Sequence, residues 1–156
     1  MTEKRDGSNI SLWIDDNNEV HISTHNLENA DENFSKIMKE TKEYKKIIEL
    51  LQSGKQFNED FICYGELIQK GLGATRIEGK HSSTKWVLFD IWGNNAQRYM
   101  PYNYIFQRAF HFKLPIVKAV NIICPKNLDD LKQSINETLL WCKKHKKGRH
   151  CRKRLL

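Results

Sequence analysis

Phe61-Ile62-Cys63-Tyr64-Gly65-Glu66-Leu67 and Trp86-Val87-Leu88-Phe89-Asp90-Ile91-Trp92 are the stretches whose reading decides the fold class. Each opens on a compact apolar run rich in aromatic and β-branched side chains, Phe61 to Tyr64 and Trp86 to Phe89, bounded by polar residues. Runs this short do not make helices, and they suit buried strands. Upstream, Asn9 to Ile14 and Glu19 to Thr24 are β-prone and flank Asp15-Asp16-Asn17-Asn18, residues that turn a backbone easily, so a hairpin is predicted there. Between hairpin and strands, Phe34, Ile37, Met38, Tyr44, Ile48 and Leu51 recur at three and four among Lys and Glu, which predicts one helix over 32–51 with Gly54 as its stop. Downstream, residues 101–112 read as a short helix and 116–123 as a strand. Asn127 is an N-cap for a helix from Leu128 to about Lys144, with Asp130 three positions on. Strands and helices mix without the βαβ alternation of a doubly wound sheet, so an α+β domain is expected.

A chain of 156 residues buries one core of ordinary size and has no room for a second full domain. Met1-Thr2-Glu3-Lys4-Arg5-Asp6 contains no apolar signal region, and no run approaches the roughly 18 apolar residues of a membrane span. A soluble, cytoplasmic protein with no membrane partner is expected. Cys63, Cys124, Cys142 and Cys151 form no regular framework, which favours reduced thiols. Cys142, His145, His150 and Cys151 are zinc-compatible, but their spacing matches no common zinc module.

The net charge of +7 suggests nucleic acid, yet its placement weakens that inference. Residues 143–154 hold eight Lys and Arg and no acidic residue, leaving 18 basic against 19 acidic side chains elsewhere. The excess is a C-terminal tail, and such runs are usually solvated. The domain is therefore taken as 1–147, with 148–156 as a basic tail.

Glu3-Lys4-Arg5-Asp6-Gly7-Ser8-Asn9 has the form K-x-D-G, followed by Tyr64-Gly65-Glu66 and then Phe89-Asp90-Ile91. In this order the three motifs resemble those of the ATP-dependent RNA ligase family, within the covalent nucleotidyltransferases that include DNA ligases and mRNA capping enzymes. The resemblance covers residues 2 to 147 and implies a partial ligase-type nucleotidyltransferase domain, mostly antiparallel sheets with flanking helices. It implies that Lys4 attacks the α-phosphate of ATP and carries AMP, with Mg2+ or Mn2+ assisting, on the way to sealing RNA ends. It also implies nucleotide binding by Glu3, Arg5, Asp6, Gly7, Asn9, His25, Glu66 and Phe89, Glu66 contacting the ribose and Phe89 stacking on adenine.

The chemistry suits these residue types. A lysine is protonated at neutral pH until its pKa is lowered from about 10.4, and Arg5 or a bound metal supplies that pressure. Glycine lets backbone approach the nucleotide, a carboxylate accepts ribose hydroxyl protons, and an aromatic face stacks on a purine.

Two departures stand out. Ser23-Thr24-His25-Asn26 has histidine where the family usually has arginine, and histidine lacks the fixed cationic fork. The later motifs E-G-x-V-x-K and K-x-K are missing, since Glu78-Gly79-Lys80 precedes Phe89 and is wrongly spaced. Gly148-Arg149-His150-Cys151-Arg152 can be encoded so that a frame one base later reads Glu-Gly-Ile-Val-Gly, so a shifted reading frame is one expected origin of the tail. Gln69-Lys70-Gly71 and Thr75-Arg76-Ile77-Glu78 are similar to RNA ligases more than to DNA ligases. The rival readings are a DNA ligase, a capping-type nucleotidyltransferase, and a catalytically dead nucleotide- or RNA-binding remnant. Oligomeric state is not legible.

Overall fold

The two deciding stretches lie side by side at the heart of an antiparallel sheet in the computed structural model, which describes residues 2–3, 7–24, 30–69, 83–119, 126–144 and 151–152. The elements are β1 (Thr2–Glu3), β2 (Ser8–Ile14), β3 (Val20–Thr24), α1 (Glu32–Lys39), α2 (Tyr44–Gln56), β4 (Phe61–Ile68), β5 (Lys85–Gly93), β6 (Arg98–Tyr99), α3 (Tyr102–His111), α4 (Leu128–Lys144) and β7 (Cys151–Arg152). The chain divides into two units, residues 6–116 and residues 1–5 with 117–156. The fold class is α+β, as expected.

In the larger unit the strand order is β3-β2-β4-β5-β6, every neighbour antiparallel. Cross-strand partners share a face and alternate residues change face, so the register sorts the side chains. Ile10, Leu12, Cys63, Leu67, Trp86 and Leu88 face a core that Met38 of α1, Ile47 and Leu50 of α2, and Ile105 of α3 complete. Asn9, Ser11, Tyr64, Glu66, Val87 and Asp90 take the other face. The hairpin forms where expected. Asp15 shapes its turn, Oδ1 accepting from the backbone N–H groups of Asn17 at 2.9 Å and Glu19 at 2.8 Å.

The single helix expected over 32–51 is two helices. Thr41 is buried, and both its amide and its hydroxyl donate to the Met38 carbonyl, at 3.1 and 2.7 Å. That carbonyl would otherwise continue the i→i+4 ladder, and side-chain competition of this kind breaks helices. Gly54 does not end α2, which runs on to Gln56 and stops where Asn58 adopts φ 57°. Glycine is needed at 54 for closeness instead, because a Cβ there would stand 2.5 Å from the Phe61 ring and 2.6 Å from the Glu59 carbonyl. The expected strand over 116–123 is, in its described part, a parallel bridge from Ile116 to Leu88, supported by Leu88 N–H donating to the Pro115 carbonyl at 2.9 Å. Residues 120–123 lie outside the described residues.

The smaller unit pairs β1 with β7 antiparallel, Thr2 opposite Arg152 and Glu3 opposite Cys151. Its helix α4 starts as the sequence predicts. Asn127 Oδ1 accepts from the Asp130 N–H at 2.8 Å while Asp130 Oδ2 accepts from the Lys126 N–H at 3.3 Å, two carboxamide and carboxylate oxygens covering donors at the helix start.

Two outcomes are expected. Gly54→Ala gains about 1 kcal/mol in helix propensity but forces overlap with Phe61 and Glu59, costing about 1–3 kcal/mol, so urea denaturation should show net destabilisation. The Asp15 carboxyl is held below its ordinary 3.8 chiefly by the His21 hydrogen bond and then by the Glu19 N–H. A depressed folded pKa gives stability that is present above the unfolded value and lost as pH falls through the folded one. The stability gap between the wild type and Asp15→Asn should therefore be widest above about pH 4 and shrink below it, read from thermal midpoints across pH.

Candidate functional site

Gly7 and Glu66 are distant in sequence and adjacent in space. The Gly7 N–H donates to Glu66 Oε1 at 3.1 Å, and a Cβ on Gly7 would stand 2.4 Å from the Leu67 carbonyl and 3.0 Å from Glu66 Cγ. Only glycine lets the start of β2 lie this close to β4. One residue pair further on, Asn9 is opposite Glu66, and Glu66 is opposite Val87, so these three form a row across β2, β4 and β5. The row lies on the face away from the helices.

Phe89 is placed by an irregularity. Tyr64 pairs with Asp90 and Gly65 with Leu88, so β5 has one extra residue, Phe89, at a β-bulge. A bulge re-aims side chains and is frequent beside active sites. Phe89 is half-buried, whereas Leu88 and Ile91 are fully buried in the core. A phenylalanine in an alternating apolar strand would otherwise be read as packing.

The outer face carries polar groups that the motif reading left without a role. Ser11 and Ser23 are buried and share a hydroxyl hydrogen bond of 2.6 Å. Asp90 is fully buried and its Oδ1 accepts from the Ile91 N–H at 3.1 Å. Burial, and then the neighbouring Tyr99, raise the Tyr64 phenol above its usual range. The alternation Asn9-Ile10-Ser11-Leu12 was the available signal that this face is polar. Cys63, on the core face, is a free thiol whose pKa burial pushes up, so it is no nucleophile.

The structure thus brings Gly7, Asn9 and Glu66 together, with Phe89 at the neighbouring bulge. Glu3 is described only as backbone in β1. Lys4, Arg5, Asp6 and His25 lie outside the described residues, as do the side chains of Cys142, His145, His150 and Cys151. The described residues fit a nucleoside, offering a carboxylate and a carboxamide beside a glycine, with an aromatic residue at the neighbouring bulge. They do not gather a metal site beside Glu66. The three ligand atoms that do converge, within 4.8 Å, belong to Asp15, Glu19 and His21, about 20 Å along β2 from Asn9. There Asp15 is engaged with the turn and His21 is stacked on Trp13 at 5.2 Å.

A domain with this sheet, helices and motif placement is of the ligase nucleotidyltransferase type. The RNA ligase family model matches residues 1–151, and the chain belongs to that family. Among solved structures, it is similar to a Naegleria gruberi RNA ligase variant with ATP and Mn, with 20% identity and TM-score 0.59 over 74% of this chain and 34% of that one. The Naegleria gruberi RNA ligase with PPi matches at 17% identity and TM-score 0.56, covering 75% and 34%. An archaeal ATP-dependent RNA ligase matches at 12% identity and TM-score 0.60, covering 92% of this chain and 36% of that one. The chain therefore spans about a third of the length of these ligases. No curated protein matches it. Among the described residues no helix is long and apolar enough to cross a membrane.

Deleting a core phenylalanine costs about 3–5 kcal/mol. From its half-buried place at the bulge, Phe89→Ala is expected to cost less than about 2 kcal/mol in urea unfolding, and a loss in the core range would assign the ring to packing.

Proposed function

We propose that this chain is the nucleotide-binding part of an ATP-dependent RNA ligase, forming lysyl-AMP through Lys4. The observation that carries the reading is the Gly7 N–H to Glu66 Oε1 bond of 3.1 Å. It joins the K-x-D-G segment to the Tyr64-Gly65-Glu66 strand, and Lys4 is three residues along the chain from Gly7. Family membership and the ATP or PPi bound in similar ligases support it.

In this reading Glu66 accepts hydrogen bonds from the ribose hydroxyls while the Gly7 N–H holds the carboxylate in place. Phe89, the extra residue at the bulge, stacks on adenine. Asn9, opposite Glu66, orders the phosphates. Lys4 Nζ, once deprotonated, forms a P–N bond to the α-phosphorus as the bond to the pyrophosphate oxygen breaks. AMP then passes to an RNA 5′-phosphate, and a 3′-OH displaces it to close the strand. A divalent ion, Mg2+ or Mn2+, neutralises phosphate charge when bound. The basic tail at 148–156, which includes the β7 residues paired with β1, is given no step in this reaction. The site is proposed for a soluble, cytoplasmic protein acting on broken RNA in repair.

Transfer of label from α-labelled ATP to the protein tests this. The missing E-G-x-V-x-K and K-x-K would supply cationic stabilisation worth orders of magnitude in rate, so labelling should be slow. Lys4→Ala should abolish it, and Glu66→Gln should weaken ATP binding tenfold or more while leaving stability nearly unchanged. Labelling by GTP instead would assign a capping-type enzyme. ATP binding with no label under any condition would assign a catalytically dead remnant, and label surviving Lys4→Ala would overturn the nucleophile.

A further inference from the structure

The larger unit exposes large apolar side chains of one kind. Among its described residues these are Phe57, Tyr99, Phe106 and Phe110, with no exposed Leu, Ile or Val. Phe106 is 49% exposed and Phe110 78% exposed. With Tyr102 they recur at i, i+4 and i+8 on α3, so they line one helix face at intervals of about 6 Å. The Tyr102 and Phe106 rings are already near one another, 6.4 Å between centroids and tilted by 32°. The opposite face of α3, Ile105 and Ala109, is in the core, so the helix is held while its rings point outward.

Along the segment that carries this stripe the charge has one sign, although Glu59 sets an acidic group against Arg108. From Ile91 to Ile116 the chain has no Asp or Glu, and it carries Arg98, Arg108 and Lys113. Arg108 is engaged by Glu59 at 3.3 Å and by the Tyr104 hydroxyl. Arg98 precedes the helix and Lys113 follows it, both exposed, and Lys46 Nζ reaches the same end by donating to the Lys113 carbonyl at 3.0 Å. Aromatic rings at regular spacing between cations are what a single nucleic-acid strand requires, bases on the rings and phosphates on the charges. An aliphatic patch that interdigitates with a protein partner is missing from this surface among the described residues.

We propose that the Tyr102, Phe106 and Phe110 face of α3 is a stacking platform for single-stranded RNA, leading a strand across the domain. The proposal rests on the RNA ligase reading for the identity of the strand, but it concerns a surface separate from Gly7, Glu66 and Phe89.

Anisotropy of a fluorescein-labelled single-stranded oligouridylate, titrated with the whole chain, tests it. The doubly substituted Phe106→Ser, Phe110→Ser protein should bind tenfold or more weakly with an unchanged thermal midpoint, while Phe110→Trp should keep or tighten binding. Arg98→Gln with Lys113→Gln should lower the slope of log affinity against log salt by about 1.4. ATP label transfer, measured alongside, reports the ligase reading by itself: label lost with ring-dependent RNA binding intact leaves the platform standing and sinks the activity. RNA affinity indifferent to both rings overturns the platform, as does failure of the wild type to bind. Sedimentation showing a dimer that the double substitution dissociates, with RNA affinity unaltered, overturns it in favour of a second copy of this chain.

Discussion

The Trp86 ring packs directly against Gly65, and the register of three strands depends on it. A Cβ on Gly65 would stand 2.1 Å from that ring, so β4 must be glycine at this point for β5 to bring its tryptophan inward. The indole N–H then crosses to the Ile10 carbonyl on β2 at 3.2 Å. A buried indole without a partner would cost about 1–3 kcal/mol, so the bond selects one alignment of β2, β4 and β5. Sliding any of them by one residue would turn its apolar set to the wrong face.

That alignment is also what assembles the candidate site. With Gly65 under Trp86, the next residue, Glu66, must point to the opposite face, where Asn9 and Val87 flank it and the Gly7 N–H meets its carboxylate. The bulge beside Gly65 then makes Phe89 the extra residue of β5. The Tyr64-Gly65-Glu66 motif therefore puts consecutive residues to different uses, its glycine packing against Trp86 in the core and its glutamate meeting the Gly7 N–H on the outer face. Polar burial on that face, from Ser11, Ser23 and Asp90, is expensive unless hydrogen bonds satisfy it, and the Ser11–Ser23 bond shows that cost being met within the sheet.

The two faces divide the labour of the larger unit. Helices α1, α2 and α3 cover the apolar face, the other face carries the row of Asn9 and Glu66, and the outer side of α3 offers its rings to solvent. Membership of the RNA ligase family fits this division. The fold alone, at 12–20% identity to the solved ligases, would not have specified the residues of the site.

By itself the sequence determined what periodicity and turn chemistry encode. The β2–β3 hairpin follows from Asp15-Asp16-Asn17-Asn18, the α4 start from Asn127 with Asp130, and the strands β4 and β5 from their apolar runs, all local signals that no distant contact overrides. The motif residues Gly7, Asn9, Glu66 and Phe89 were legible as a list. Tertiary structure decided what depended on remote partners. Helix spacing through 32–51 was continuous, and it was the buried Thr41 hydroxyl on Met38 that cut it. Gly54 read as a stop, and only the Phe61 ring against it shows why it sits inside α2. The bulge at Phe89 has no signature in β5 alone, because it arises from how many residues of β4 stand opposite, a quantity that exists only once the two strands are paired.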